Sequence, residues 1–315
     1  MKLLVTRPMT ARATAAITAE FDADFRENYA LDATQAAQAM QDYDAILPTL
    51  GDAFTAAAFD GNPRCKLLAN FGAGFNHIDI DAAKTAGVVV TNTPEVVTDA
   101  TADIALTLML TTLRRTSEAE RMLRAGDWVG WNPTQMLGHH MTGATVGIIG
   151  MGRIGKAIAQ RCYFGFGMKV VFYNRSTVTD LDFPASQITD LHDMLRACDV
   201  AVIAVPGGAS TRGLIGQDEL TALGGDNFLI NIARGDVVDE GALVAALYAG
   251  TIAGAGLDVY ANEPTIPQDL IDAPNTTLLP HLGTSTDDTR TQMALRALSN
   301  IQAFALGRNP PDRIV

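Results

Sequence analysis

A chain of 315 residues is long enough for about two domains, and with 48% hydrophobic residues it can bury real cores. Its net charge of −12 argues against nucleic acid as a partner. Three cysteines, Cys65, Cys162 and Cys198, are few, odd in number and without ligand spacing, which argues for buried thiols in a reducing compartment and against a disulfide framework.

The first residues, Lys2 to Pro8, read as a short strand and a turn, not as a secretory signal. The most apolar helical stretch, 104–113, is far below the ~20 residues that span a bilayer, so no membrane partner is expected and the protein is read as soluble and cytoplasmic. Residues 1–98 alternate strands (3–6, 45–48, 67–70, 88–91) with helices (10–21, 34–40, 81–86), an α/β pattern with a parallel sheet. After the third strand comes a glycine loop, Phe71-Gly72-Ala73-Gly74-Phe75, whose backbone N–H groups could face a small anion; from spacing alone it reads as a plain turn.

Residues 99–125 read as one long helix, apolar in its first half and charged in its second. The arm that follows holds Gly126, Gly130, Pro133 and the only two tryptophans, Trp128 and Trp131, which suits packing on a partner subunit or a pocket mouth.

Residues 144–282 repeat strand and helix, with six strands at 146–149, 169–173, 200–205, 228–232, 254–258 and 277–279, a count that matches a doubly wound dinucleotide domain. The first strand runs into Gly150-Met151-Gly152-Arg153-Ile154-Gly155. Gly150 permits the tight turn, Gly152 admits a pyrophosphate, and Gly155 lets the helix pack closely on the strand. Arg153 and Ile154 then stand at a helix N-terminus, where N–H groups and the helix dipole favour phosphate. The second strand ends at Asn174-Arg175-Ser176, without the Asp or Glu that usually accepts from a ribose 2′-OH. Arg175 can make a charge-assisted contact to a 2′-phosphate with Asn174 and Ser176 as neutral donors, so NADP(H) is the expected cofactor, with NAD(H) the alternative. A closing helix is expected at 286–306.

Three further stretches, Asn231 to Asp239 around Arg234, Gly256 to Pro264 around Glu263, and Leu279 to Thr284 around His281, line up in the order Arg, Glu, His. With these flanks the chain resembles the D-isomer-specific 2-hydroxyacid dehydrogenases, from the Gly72-Ala73-Gly74 loop to the C-terminal helix. The stretch Thr98 to Asp103 and the Gly130 to Pro133 arm are most similar to the glyoxylate/hydroxypyruvate reductase branch. Two departures stand out: Thr284 where the family commonly has Ser, and Ala204-Val205-Pro206-Gly207-Gly208 in place of His-x-Pro-Leu-Thr.

The resemblance implies an α/β fold of two domains: a Rossmann-type doubly wound sheet over 99–282, and a smaller flavodoxin-like substrate domain from 1–98 and 283–315, with the site in the cleft. It implies NADPH-dependent reduction of glyoxylate or hydroxypyruvate to glycolate or D-glycerate, in a homodimer. The alternatives are another 2-oxo acid or a dinucleotide-sensing, corepressor-like binding protein.

Such a reduction needs a hydride, a proton and a cation for the carboxylate. The resemblance makes His281 the proton donor, and an imidazole's ordinary pKa near ~6.5 suits that task. Glu263 would orient the ring, a pairing that spacing alone does not reveal; Arg234 has the planar fork to hold a carboxylate. Family substrates are held by backbone N–H groups, here Ala73 and Gly74, which overrides the plain-turn reading; Leu50 and Phe71 would be apolar walls. Further cofactor contacts are implied at Thr101, Val205, Pro206, Thr211, Ile232, Ala233, Arg234, His281 and Gly283, with Asp258 accepting from the nicotinamide amide. No metal is expected: His139-His140 are adjacent but lack a third ligand.

Overall fold

The computed structural model describes residues 1–27 and 29–315. They divide into two compact units: Met1–Val97 with Thr284–Val315, and Thr98–Gly283.

In the first unit, strands β1 (Lys2–Val5), β2 (Asp22–Phe25), β3 (Ala45–Leu47), β4 (Leu67–Ala69) and β5 (Val89–Thr91) form one parallel sheet in the order β2-β1-β3-β4-β5. β1, β3 and β4 are short, nearly continuous apolar runs, as expected of parallel strands covered on both faces. The edge strand β2 reads Asp-Ala-Asp-Phe and is half exposed, which is why no apolar run announces it. Helices α1 (Ala11–Glu20), α2 (Ala33–Asp42) and α3 (Ile80–Thr85) are capped by Thr10, Asp32 and Asp79, each side chain accepting an N–H of the first turn. The C-terminal helix Asp287–Ala305, capped by Thr286, packs on α1 and β4. The strand order reverses between β1 and β3, the position where doubly wound sheets open a crevice beyond their strand ends.

In the second unit, helix α4 (Thr98–Leu113) is followed by α5 (Thr116–Ala125), so the single long helix read from sequence is broken. Arg115 takes a left-handed φ of 53° at the break, and the Leu113 carbonyl accepts from His139 N–H, a tertiary partner. The break separates a buried helix from one with no buried residue.

The sheet has seven parallel strands, not six: β6 (Thr145–Ile149), β7 (Lys169–Tyr173), β8 (Ser186–Gln187), β9 (Val200–Ile203), β10 (Phe228–Asn231), β11 (Gly254–Leu257) and β12 (Thr276–Leu278), ordered β12-β11-β10-β9-β6-β7-β8. The extra strand, β8, is a two-residue edge piece. Helices α6 (Arg153–Phe166), α7 (Leu191–Arg196), α8 (Gln217–Leu223), α9 (Glu240–Ala249) and the short α10 (Gln268–Ile271) connect the strands, and α4 packs on α6 and β10 to β12. Here the order reverses between β6 and β9, which places the Gly150 turn and the Ala204 loop side by side. Among the described residues no helix is long and apolar enough to cross a membrane.

Candidate active site

Strand β11 ends at Leu257, and the next residue, Asp258, is buried and anchors a distant loop. Its carbonyl accepts from His281 N–H at 2.9 Å, its Oδ1 from Leu282 N–H at 2.6 Å and its Oδ2 from Gly283 N–H at 2.7 Å. Burial pushes the Asp258 carboxyl above its ordinary range against the pull of these donors. Held this way, His281 adopts φ 54°, a conformation that costs a non-glycine residue about 1–3 kcal/mol.

The His281 ring is then met by Glu263. Nδ1 donates to Oε2 at 2.8 Å, while Glu263 Oε1 accepts from Tyr260 N–H at 2.9 Å. Tyr260 is itself stapled by its hydroxyl donating to the Leu279 carbonyl at 2.9 Å. Burial would raise the Glu263 carboxyl, but the hydrogen bond and charge of His281, the Tyr260 N–H and the charge of Arg234 outweigh it and hold it below the usual range. An ionised Glu263 keeps the proton on Nδ1 and leaves Nε2 as the ring's working atom. Nε2 has no partner among the described residues.

Arg234 follows β10 through a turn built by Asn231, whose Nδ2 donates to the Arg234 carbonyl (2.9 Å) and whose Oδ1 accepts from Ala233 N–H (3.0 Å). At Gly235 a Cβ would stand 1.8 Å from the Tyr260 carbonyl carbon, so only glycine lets the Arg234 turn approach the Tyr260–Glu263 segment. Burial lowers the Arg234 pKa against the charges of Glu263 and Asp236. Nη1 donates to the Ala233 carbonyl, but Nε is buried with no hydrogen-bond partner among the described residues. A half-buried cation with an unspent, buried donor, beside a histidine–carboxylate pair, makes a site that can bind an anion and hand it a proton.

The glycine turn fits a dinucleotide. Gly150 has φ 100° and a Cβ there would meet Val205 at 2.8 Å; a Cβ at Gly155 would lie 2.1 Å from the Gly150 carbonyl oxygen. A Cβ at Gly152, by contrast, meets nothing within 4 Å, leaving room beside the first turn of α6, where Arg153 and Ile154 stand. Beyond β7, Arg175 and Ser176 are exposed. Asn174 departs from its expected role as a donor: its Nδ2 is spent on the Ser176 carbonyl and hydroxyl, and its Oδ1 accepts from Met151 N–H. It ties the Arg175 loop to the glycine turn. Thr211 is also turned inward, donating to the Pro206 carbonyl at 2.7 Å and so closing the loop after β9. Ile232 and Ala233 are nearly buried, and Gly283 lies where a Cβ would touch Asp258 (3.2 Å) and Thr101 (3.6 Å).

The remaining expected residues belong to the first unit. Phe71 is buried beside the Arg290 guanidinium (6.0 Å to the ring centroid) and pairs with Thr49, next to the exposed Leu50. The N–H groups of Ala73 and Gly74 have no partner among the described residues. No described group of three or more His, Cys, Asp or Glu side chains could hold a metal ion. Asn231 and Tyr260 escaped the sequence reading because they act through backbone hydrogen bonds that no spacing rule signals.

Residues 106–283 match the model of the D-isomer specific 2-hydroxyacid dehydrogenase NAD binding domain. Glyoxylate reductase of Thermococcus kodakarensis is 41% identical over 280 residues, covering 87% of this chain and 84% of that one. Glyoxylate reductase of Thermococcus onnurineus is 37% identical over 319 residues, covering 99% and 95%. Among solved structures, the NADPH-dependent glyoxylate/hydroxypyruvate reductase of Sinorhizobium meliloti, in complex with NADP and malonate, has a TM-score of 0.89 at 37% identity, covering 100% of this chain and 96% of that one.

Proposed function

The chain belongs to the D-isomer-specific 2-hydroxyacid dehydrogenase family, in its glyoxylate reductase branch, and we propose that it reduces glyoxylate or hydroxypyruvate to glycolate or D-glycerate with NADPH as preferred reductant. What supports this most is the His281–Glu263 pair, with Nδ1 bound at 2.8 Å and Nε2 left for a substrate, beside the unspent Nε of Arg234.

A nicotinamide cofactor, when bound, supplies the hydride. We assign its pyrophosphate to the Gly150–Gly155 turn with Arg153 and Ile154, and its 2′-phosphate to Arg175 and Ser176, where a carboxylate would repel and a guanidinium attracts. Thr98–Gly283 is thus the cofactor domain, and the other unit the substrate domain. The substrate carboxylate is assigned to the Arg234 fork and to the N–H groups of Ala73 and Gly74, with Leu50 and Phe71 as apolar walls. Arg234 polarises the 2-oxo oxygen, and protonated His281 gives that oxygen a proton from Nε2 as negative charge develops on it. Glu263 fixes the ring and stabilises its imidazolium before transfer.

The working form is assigned as a homodimer joined through the arm after α5, where Trp128, Val129, Trp131 and Leu137 stand exposed. Three buried cysteines suit a reducing, cytoplasmic setting.

A four-way initial-rate assay tests the reading: NADPH and NADH are crossed with glyoxylate and hydroxypyruvate, all below saturation. Turnover on either acid, faster with NADPH, is the expected result. Cofactor binding without turnover on either acid would send the substrate assignment elsewhere in the family.

A further inference from the structure

The glycine loop after β4 owes its shape to two asparagines that the sequence reading did not single out. Asn70 is fully buried, and its Nδ2 donates to the carbonyls of Gly72 and Gly74, both at 3.0 Å. Asn92, just past β5 and half-buried, donates from Nδ2 to the Ala73 carbonyl at 2.9 Å. Thr93 N–H adds a second donor to the Gly72 carbonyl at 3.0 Å. The Asn70 amide has one orientation available: turned over, its oxygen would face two carbonyl oxygens. In the observed orientation its Oδ1 is buried without a hydrogen-bond partner, so the donors alone account for the placement.

These bonds fall on particular peptide groups. The Gly72 carbonyl shares its peptide unit with Ala73 N–H, and the Ala73 carbonyl shares its unit with Gly74 N–H. In a trans peptide the carbonyl and the N–H point opposite ways, so pulling each carbonyl onto an asparagine turns its N–H away from that asparagine. Accepting a hydrogen bond also polarises the peptide and makes that N–H a stronger donor. Neither N–H has a partner among the described residues.

We propose that Asn70 and Asn92 are positioning residues of the substrate site, which aim and polarise the Ala73 and Gly74 N–H groups toward the substrate carboxylate. This rests on the reading that these two N–H groups bind that carboxylate. Such donors hold the carboxylate throughout the reaction, so weakening them costs uniform binding: KM rises and kcat is largely kept. A merely structural role would instead lower the melting temperature and the active fraction at unchanged KM.

The test compares wild type with Asn92→Ala and Asn70→Asp. The readouts are kcat and KM for glyoxylate, the Kd of oxamate (a 2-oxo acid mimic that cannot be reduced), the Kd of NADPH, and melting temperature. Each variant should raise KM and the oxamate Kd by about tenfold, with kcat within about threefold of wild type and NADPH affinity unchanged. Should the buried Asn70→Asp fail to fold, the half-buried Asn92→Ala decides alone. Wild-type turnover with KM and oxamate Kd unmoved in Asn92→Ala overturns the inference and leaves the reductase reading intact. A wild type that neither reduces glyoxylate nor binds oxamate overturns that reading, and the inference with it.

Discussion

At Arg175 one exposed guanidinium, flanked by Asn174 and Ser176 and not by a carboxylate, is the basis for choosing between the two nicotinamide cofactors. Asn174 spends its amide donors on Ser176, which leaves Arg175 as the loop's cation and Ser176 as a neutral neighbour. Arg175→Asp should therefore invert the preference, cutting kcat/KM for NADPH by about 100-fold or more while NADH improves or holds. An unchanged ratio of specificity constants would mean that another cation reads the 2′-phosphate. Arg234, Glu263 and His281 stand out in the sequence because each sits in a distinctive run of neighbours. The anchoring roles of Asn231, Asp258 and Tyr260 are not legible there, since each acts by bonding to backbone groups that no one-dimensional pattern displays.

At the scale of elements, most of the legible strands, such as β3, β4, β9 and β10, are buried along their whole length, where composition and burial coincide. β2, with two aspartates, and β8, two residues long, lie at sheet edges and carry no such signal. The α4–α5 break was hidden for another reason. The sequence there, Leu113-Arg114-Arg115-Thr116, has no glycine or proline, and the interruption comes with a bond from His139, 24 positions or more from the break. Gly235 is the tightest junction between site elements, with the Tyr260 backbone where its Cβ would be. Gly235→Ala should force the Arg234 turn away from Glu263, lower kcat/KM by about 10–1,000-fold and cost about 1–3 kcal/mol of stability, read by activity and by denaturant unfolding. Near-normal values of both would show that the two segments separate without consequence.

In the first unit, the C-terminal helix is tied to the residues that follow it by Arg296, whose Nε and Nη2 each reach Asp312 at 2.7 Å. Burial would raise the Asp312 carboxyl, but the hydrogen bonds of Arg296 and Asn300 and the charge of Arg296 outweigh it and hold it below its ordinary range. A carboxyl with a depressed folded-state pKa adds stability above its unfolded value, near ~3.9, and loses it as pH falls through the folded value. Asp312→Asn should thus destabilise the protein by about 1.5–3 kcal/mol at neutral pH, with the deficit shrinking in strong acid. A deficit independent of pH would assign the effect to packing.

Across the whole molecule, two parallel sheets with different strand orders each reverse direction once, and the chain crosses between the units at Val97–Thr98 and at Gly283–Thr284. The second crossing comes three residues after His281, so the loop that carries the proposed acid is also the last piece of the cofactor unit. The exposed aromatic pair Trp128 and Trp131 lies outside every helix and strand, a pattern that suits a segment finishing its burial on another chain. Sedimentation should give twice the chain mass for the wild type, and Val129→Asp with Trp131→Glu should shift it toward monomer. A monomeric wild type would contradict the dimer assignment.

We propose that His281, held by Asp258 and oriented by Glu263, delivers the proton in 2-oxo acid reduction. Glyoxylate turnover and NADPH affinity, measured together in His281→Ala, decide the point. Turnover should fall by about 100- to 10,000-fold while the NADPH Kd stays within about twofold of wild type. Turnover retained, or cofactor affinity lost along with it, would show that His281 shapes the loop and does not do the chemistry.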